Sequence, residues 1–245
     1  MSINQPNSFL RASWRNLLMA NYETDPSLLK NYVPRGTELD AFNGIHYVSL
    51  VGFLFMDTKV MGIGFPFHRT FEEVNLRLYV RYKEEGKWKR GVVFIKEIVP
   101  RWIISFIANR LYGEKYISLP MRHAWNDVGD GAISVEYSWK INNKWDYIRA
   151  TADKEPILFT EGSEENFITE HYWGYTGMRN QMTGEYQVIH PQWRIHHVRS
   201  YDIQCSTAIL YGKQFESTMQ QVPRSVFLAE GSDICVLKGK KFRCN

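Results

Sequence analysis

The sequence carries none of the fingerprints that mark a common cofactor or catalytic apparatus. It has no GxGxxG or GxxxxGK[ST] loop, which removes the usual cradles for dinucleotides and nucleotide phosphates. HExxH and GxSxG are also missing, so neither a helix-borne zinc site nor a serine nucleophile elbow is marked. Cysteine is scarce. Cys205, Cys235 and Cys244 are widely spaced and odd in number, with no CxxC pair, which argues against a disulfide framework or structural zinc. A reducing cytoplasm is the expected setting. The most apolar run, "WIISFIANRLYG", is too short to span a bilayer and contains Arg110. The opening "MSINQPNSFLRASWRN" shows no basic segment leading into an apolar one, so no secretory signal is read there. Charge of one sign is lacking too: the net charge is +4, and basic residues alternate with acids in "RYKEEGKWKR" at 81–90. No nucleic-acid stripe emerges. A soluble protein is expected, with no metal, cofactor, nucleic-acid or membrane partner; the oligomeric state is not legible.

What the sequence does have is apolar bulk. Across 245 residues, 44% are apolar and 23% charged, the balance of a globule with a sizeable core. Aromatics reach 15%, with eight Trp and fourteen Tyr, enough to fill a core or line a pocket. No repeat or Pro/Gly/Ser-rich linker divides the chain, and residues 1–245 read as one domain. In "TDPSLLKNYVP", Asp25 caps a short helix, Pro26 opens it and Pro34 stops it. A turn in "FNGIHYVSLVGFLF" leads into an apolar strand. "EVNLRLYVRY" alternates: Val74, Leu76, Leu78 and Val80 face one way, and Glu73, Asn75, Arg77 and Arg81 the other. "GVVFIKEIV" pairs with it across a charged turn, and a helix follows from Pro100 to Gly113. Asn142–Asn143 joins another hairpin, Ser163 caps a short helix through Tyr172, and "EYQVIH", "IHHVRSYDI", "CSTAILYG" and "SDICVLKGKKF" read as strands. A short helix is expected around Lys213–Gln220. Many short strands with few helices predict an α+β fold dominated by an antiparallel sheet or barrel.

Four groups are candidates for chemistry. Glu73, Asn75 and Arg77 recur at every second residue, so they project to one side of a strand. Inside a barrel they would bind a carboxylate or move a proton; on a water-facing sheet they would do neither, and the alternation leaves both readings open. The histidines of "HPQWRIHHV" are poor metal ligands, because His196 and His197 point to opposite faces of a strand. Glu170 and His171, being helix neighbours, do not face each other. Lys115 follows Glu114 just past a helix-ending glycine, where a lysine is ordinarily solvated and unsuited to imine formation.

Several stretches together resemble one family. "WRNLLMANYETDPSLLKNYVPRGTELDAFNGIHYVSLVGFLF", "FEEVNLRLYV", "RLYGEKY", "ITEHYWGY", "YQVIHPQW" and "SVFLAEGSDICVLKGKK" are similar, in order, to the YqjF-like (DUF2071) proteins, whose activity is unassigned. That family is in turn similar to acetoacetate decarboxylase, which implies a cone-shaped antiparallel β-barrel with peripheral helices. By the more distant resemblance, Arg15 falls on a substrate-pocket arginine and "FEE" puts Glu73 on a catalytic-site glutamate. Decarboxylases of this kind have Tyr-Pro-Lys-Lys after a helix end, the first lysine forming the imine. In ungapped register Lys115 stands on the proline here, and Tyr116 and Ile117 stand on the two lysines. A one-residue shift would restore Lys115 to the reactive position. The resemblance therefore implies a small, acidic organic ligand held by Arg15, Asn75 and Arg77, with no Schiff base. The alternative is an enzyme acting on a keto acid, through a Lys115 imine or through Glu73 and Tyr116 as acid and base.

Overall fold

The computed structural model describes residues 8–64, 69–100 and 115–243. The helix expected between Pro100 and Gly113 falls almost wholly outside them. Fourteen strands are described in chain order. They begin with β1 (Ser8–Glu23), β2 (Thr37–Leu39), β3 (Tyr47–Val60), β4 (Phe71–Glu84), β5 (Lys87–Val99), β6 (Tyr116–Ser118) and β7 (Met121–Gly129). The remainder are β8 (Ala132–Ile141), β9 (Lys144–Asp153), β10 (Trp173–Gly177), β11 (Met182–Ile189), β12 (Ile195–Gln204), β13 (Ser225–Leu237) and β14 (Lys240–Arg243). Short helices interrupt them: α1 (Pro26–Leu29), α2 (Glu164–Thr169), α3 (Thr207–Leu210) and α4 (Glu216–Met219). The protein is mostly sheet.

Local chemistry accounts for much of this. Asp25 accepts from Ser27 N at 2.7 Å and Pro26 occupies the first helical position, as the sequence implied. Glu85–Gly86 and Asn142–Asn143 all have positive φ, the two-residue hairpin turn that matches strand twist. Ser163 caps α2 through Asn166 N, but the helix ends at Thr169, before His171.

"CSTAILYG" differs from expectation: it holds α3 and no strand. Asp146, buried on β9, accepts both Ser206 N (2.6 Å) and Ser206 Oγ (3.1 Å), which anchors the start of that turn. Leu210 and Tyr211 then bury in the core while Ile209 stays exposed. Tertiary anchoring overrides the β propensity of the segment.

Pairing runs in the order β11, β10, β5, β4, β3, β1, β13, and β11 also pairs β13 through Val188↔Val236 and Ile189↔Cys235. The sequence of paired strands thus meets itself. From β13 it continues through β12 to β9, β8 and β7. This extension packs over the outside of β4. Val74, Leu76, Leu78 and Val80 share one apolar cluster with Ile133, Val135, Tyr137, Trp139 and Ile148. Phe71 and Tyr79, on the other face of β4, belong to a second cluster with Phe53, Phe55, Phe167 and Trp193. Two cores therefore lie on either side of β4, and each fully buried aliphatic or aromatic side chain contributes about 1.5–3 kcal/mol.

Gly52 on β3 is where the two layers meet most closely. A Cβ there would lie 2.7 Å from the Tyr137 ring, whose hydroxyl donates to Asn16 O at 2.9 Å. Gly52→Ala is expected to lose about 1–3 kcal/mol in chemical denaturation by overpacking this contact. Unchanged stability would show that the layers are not in contact at β3.

Candidate functional site

Because the apolar face of β4 is covered by the outer layer, its polar face is not its water face. Glu73 and Asn75 are 3% and 1% exposed. Asn75 Nδ2 donates to Glu73 Oε1 at 2.9 Å, and the Tyr116 hydroxyl donates to Glu73 Oε2 at 3.2 Å. Glu97 on β5, 1% exposed, pairs in register with both Asn75 and Tyr116, which brings a second carboxyl to the group. Burial outweighs the hydrogen bonds and the Arg77 charge, and pushes the Glu73 carboxyl up to about 7. Burial, with the Glu73 and Glu97 charges, keeps the Tyr116 phenol protonated far above the ordinary tyrosine range. Asn75 Oδ1 is buried with no hydrogen-bond partner among the described residues.

Arg77 comes next along the same face. Its Nε reaches Tyr79 Oη at 3.4 Å, and its Nη2 reaches Ile168 O at 3.4 Å and Met19 Sδ at 3.8 Å. These are long contacts for a guanidinium. Beyond Tyr79 the bonds shorten: Tyr79 Oη to Ser49 Oγ is 2.7 Å, Ser49 Oγ to Asn21 Oδ1 2.6 Å and Asn21 Nδ2 to Ser225 Oγ 2.9 Å. Ser225 Oγ then donates to Glu164 Oε1. Since Ser49 gives its proton to Asn21, Tyr79 must be the donor to Ser49. Every donation in the row therefore runs outward from Arg77 to Glu164, an arrangement in which neighbouring bonds polarise one another.

Two further histidines border this interior. His171 Nε2 lies 3.2 Å from Asp40 Oδ2, with Tyr79 and Phe167 rings at 4.8 and 4.9 Å. His190 stacks on Trp193 at 4.1 Å and meets Tyr172 at 4.7 Å. Trp193 in turn meets Trp14, and Trp14 meets Phe53 and Phe55; Phe53 pairs in register with Glu73, so an aromatic wall adjoins the polar row. Burial pulls both imidazoles down to about 4, so they are neutral at ordinary pH.

Of the residues singled out from sequence, the structure brings Glu73, Asn75, Arg77 and Tyr116 together. It does not bring Lys115 to them. Lys115 is exposed, with its Nζ 5.0 Å from the Tyr32 ring centroid, and Tyr32 packs on Phe215 in the outer cluster. Strand alternation sends Lys115 outward and Tyr116 inward. Arg15 is also elsewhere: it alternates with Trp14, and its Nη2 pairs with Asp233 Oδ1 at 3.0 Å, a partly exposed ion pair. His196 Nδ1 engages Asp153 O, and His197 is exposed, so the histidines of that strand do not converge. Sequence reasoning missed Tyr79, Glu97 and Asp40, and weighed His171 only against Glu170. Tyr79 continues the alternation of Glu73, Asn75 and Arg77, and Glu97 is an acid within an apolar strand; both signals were readable. Asp40 and His171 lie 131 residues apart with no local sign of each other.

The Glu73 shift has a stability consequence. Its carboxyl binds a proton more tightly folded than unfolded, so folding stability falls as pH rises from about 4.5 through about 7. Glu73→Gln removes that slope while keeping the hydrogen-bonding shape. The variant is expected to gain on the parent by about 2.5 kcal/mol between pH 5 and pH 8 in urea unfolding. A pH-independent difference would show that Glu73 titrates normally.

Comparison with known proteins agrees with this architecture. The DUF2071 family, described as an uncharacterized conserved protein, matches residues 11–233. Uncharacterized protein YqjF of Bacillus subtilis (strain 168) is 28% identical over 188 residues, covering 75% of this chain and 74% of its own. Acetoacetate decarboxylase from Legionella pneumophila superposes with a TM-score of 0.64 at 15% identity, over 97% of this chain and 88% of that one. The enduracididine biosynthesis enzyme MppR gives 0.68 at 12% identity, over 98% and 90%. At such identities the structural likeness is one of fold, whereas the family match spans most of the sequence: the chain belongs to the DUF2071 family.

Proposed function

We propose that the chain binds a small organic acid in the interior bordered by β4, β5 and the aromatic wall, without forming a Schiff base. On this reading the self-meeting ring of strands is the cone-like barrel of the acetoacetate decarboxylase-like fold, and its interior receives the ligand. The observation that carries the proposal is Arg77. It is a half-buried guanidinium whose hydrogen bonds among the described residues are long and made to neutral atoms, and it forms no ion pair with a carboxylate among those residues. Such a group is suited to a carboxylate, which accepts two of its donors at once. Glu73 and Tyr116 stand farther along the same face. With its carboxyl near neutrality, Glu73 either donates to or accepts from the ligand, and Asn75 Oδ1 supplies a free acceptor.

The proposal dispenses with an imine because the amines are on the wrong side. Lys96 on β5 faces outward and donates to Leu210 O, and Lys115 is exposed. With pyruvate or acetoacetate and borohydride, peptide mapping is expected to find no more label at Lys115 than at other exposed lysines. An adduct confined to Lys115 and abolished in Lys115→Met would overturn this part.

The binding step itself is read by calorimetry with a series of small carboxylic acids and their neutral amides. Acids are expected to bind and amides not. Arg77→Ala is expected to weaken the acids about 30-fold, the equivalent of about 2 kcal/mol for a charge-assisted contact. Equal binding of acids and amides, or no effect of Arg77→Ala, would defeat the proposal.

A further inference from the structure

Asp40 and His171 are not used by the reading above, yet they have the marks of a built site. Asp40 is 4% exposed and His171 7%. Burial opposes the Asp40 charge, but hydrogen bonds from His171 and from Arg90 Nε at 2.7 Å hold its carboxyl at about 2. An ionised carboxylate only accepts, so the proton of the His171 ring must sit on Nε2, which faces it. Burial keeps the ring neutral. Nδ1 is then a bare lone pair, buried and with no hydrogen-bond partner among the described residues. An unfilled acceptor of this kind costs about 1–3 kcal/mol, which a donor on a bound molecule would recover.

The occupant's chemistry follows from the surroundings. The His171 ring lies 4.8 Å from Tyr79, and Arg77 Cζ lies 5.6 Å from the same Tyr79 ring. Anchor and guanidinium thus both lie beside one aromatic ring, a span within the length of a small molecule. Phe167 closes the histidine side at 4.9 Å. A lone pair among aromatic edges selects a neutral donor, since among the described residues the carboxylate it neighbours is Asp40, already bonded to His171 and Arg90.

We infer that His171 Nδ1 is a second anchor for the same ligand, accepting a hydrogen bond from its hydroxyl group, so that the ligand class is a hydroxy acid with its carboxylate on Arg77. This rests on the binding reading proposed above. Asp40 is a positioning residue, acting through the tautomer it imposes on His171.

The test titrates wild type, His171→Phe and Arg77→Ala with two matched series: straight-chain and phenyl-substituted carboxylic acids, and the same acids bearing a terminal hydroxyl. Wild type is expected to prefer the best hydroxy acid over its parent by about fivefold, as a neutral hydrogen bond supplies. His171→Phe keeps the aromatic volume and is expected to erase that preference while leaving parent-acid affinity within about twofold. Nitrogen NMR of wild type checks the bond without a variant: the unprotonated Nδ1 signal should shift with the hydroxy acid and not with its parent. Parent acids that bind through Arg77 with no hydroxyl preference, or a preference that survives in His171→Phe, would overturn the hydroxy-acid assignment and leave the acid-binding reading intact. If no acid in either series binds wild type, both fall.

Discussion

The structure depends on β4 being covered on both faces. Its outward row, Val74, Leu76, Leu78 and Val80, is completely buried against the second layer of sheet. The inward row is largely withdrawn from water as well: Glu73, Asn75 and Tyr79 are buried and Arg77 is half-buried. A polar row in that position must be satisfied internally or by a guest. The protein meets part of the requirement itself. Asn75 and Tyr116 serve the two oxygens of Glu73, and the row of donations from Arg77 to Glu164 leads polarity to the outside through Tyr79, Ser49, Asn21 and Ser225. Among the described residues, Asn75 Oδ1 and His171 Nδ1 are left over on the inner side, and the contacts of Arg77 are long.

The period of the strand decides which chemistry is available there. On β5, Glu97 faces inward and Lys96 outward; at β6, Tyr116 faces inward and Lys115 outward. Alternation thus sorts acids and phenol to the inside and amines to the outside. A one-residue displacement would exchange the two sets, because strand side chains repeat every two residues. Parallel pairing of Glu97 with Tyr116 fixes the register, so the lysines are held out by backbone hydrogen bonding over three residue pairs. That is a firmer restraint than side-chain preference.

How much of this was legible depended on the range of the interaction. The helix cap at Asp25, the two-residue turns and the alternation of β4 are local, and the sequence states them directly. Which face of β4 lies inside is not local: it depends on β8 and β9, more than fifty residues away, supplying Val135, Tyr137 and Trp139 from the first and Ile148 from the second. The family resemblance supplied that orientation for Glu73. It misled for Arg15, where a bulge at Asn16, with φ of 55°, and the Asp233 partner decide the side-chain direction. The α3 turn was misread for the same reason, since Asp146 acts from another strand. The pairing of Asp40 with His171 was beyond reach, because neither lies in a segment whose pattern points to the other.

Cost is the strongest argument that the interior is a site and not simply a wet core. Two buried carboxylates, an interior guanidinium and two neutral imidazoles each oppose folding relative to aliphatic side chains of similar size. Folded domains stand only about 5–15 kcal/mol above unfolding, so several such groups in one place are a heavy burden for a scaffold that needs only to fold. The outer core of the same molecule, with Trp139 and Ile148 fully buried, shows that the sheet can be packed with apolar side chains. The difference between the two cores lies on opposite faces of one strand, in the same fold and the same solvent. What distinguishes them is therefore not architecture. A ligand that takes up the spare donors and acceptors returns part of that free energy on binding, and an apolar filling of the same volume has none to return.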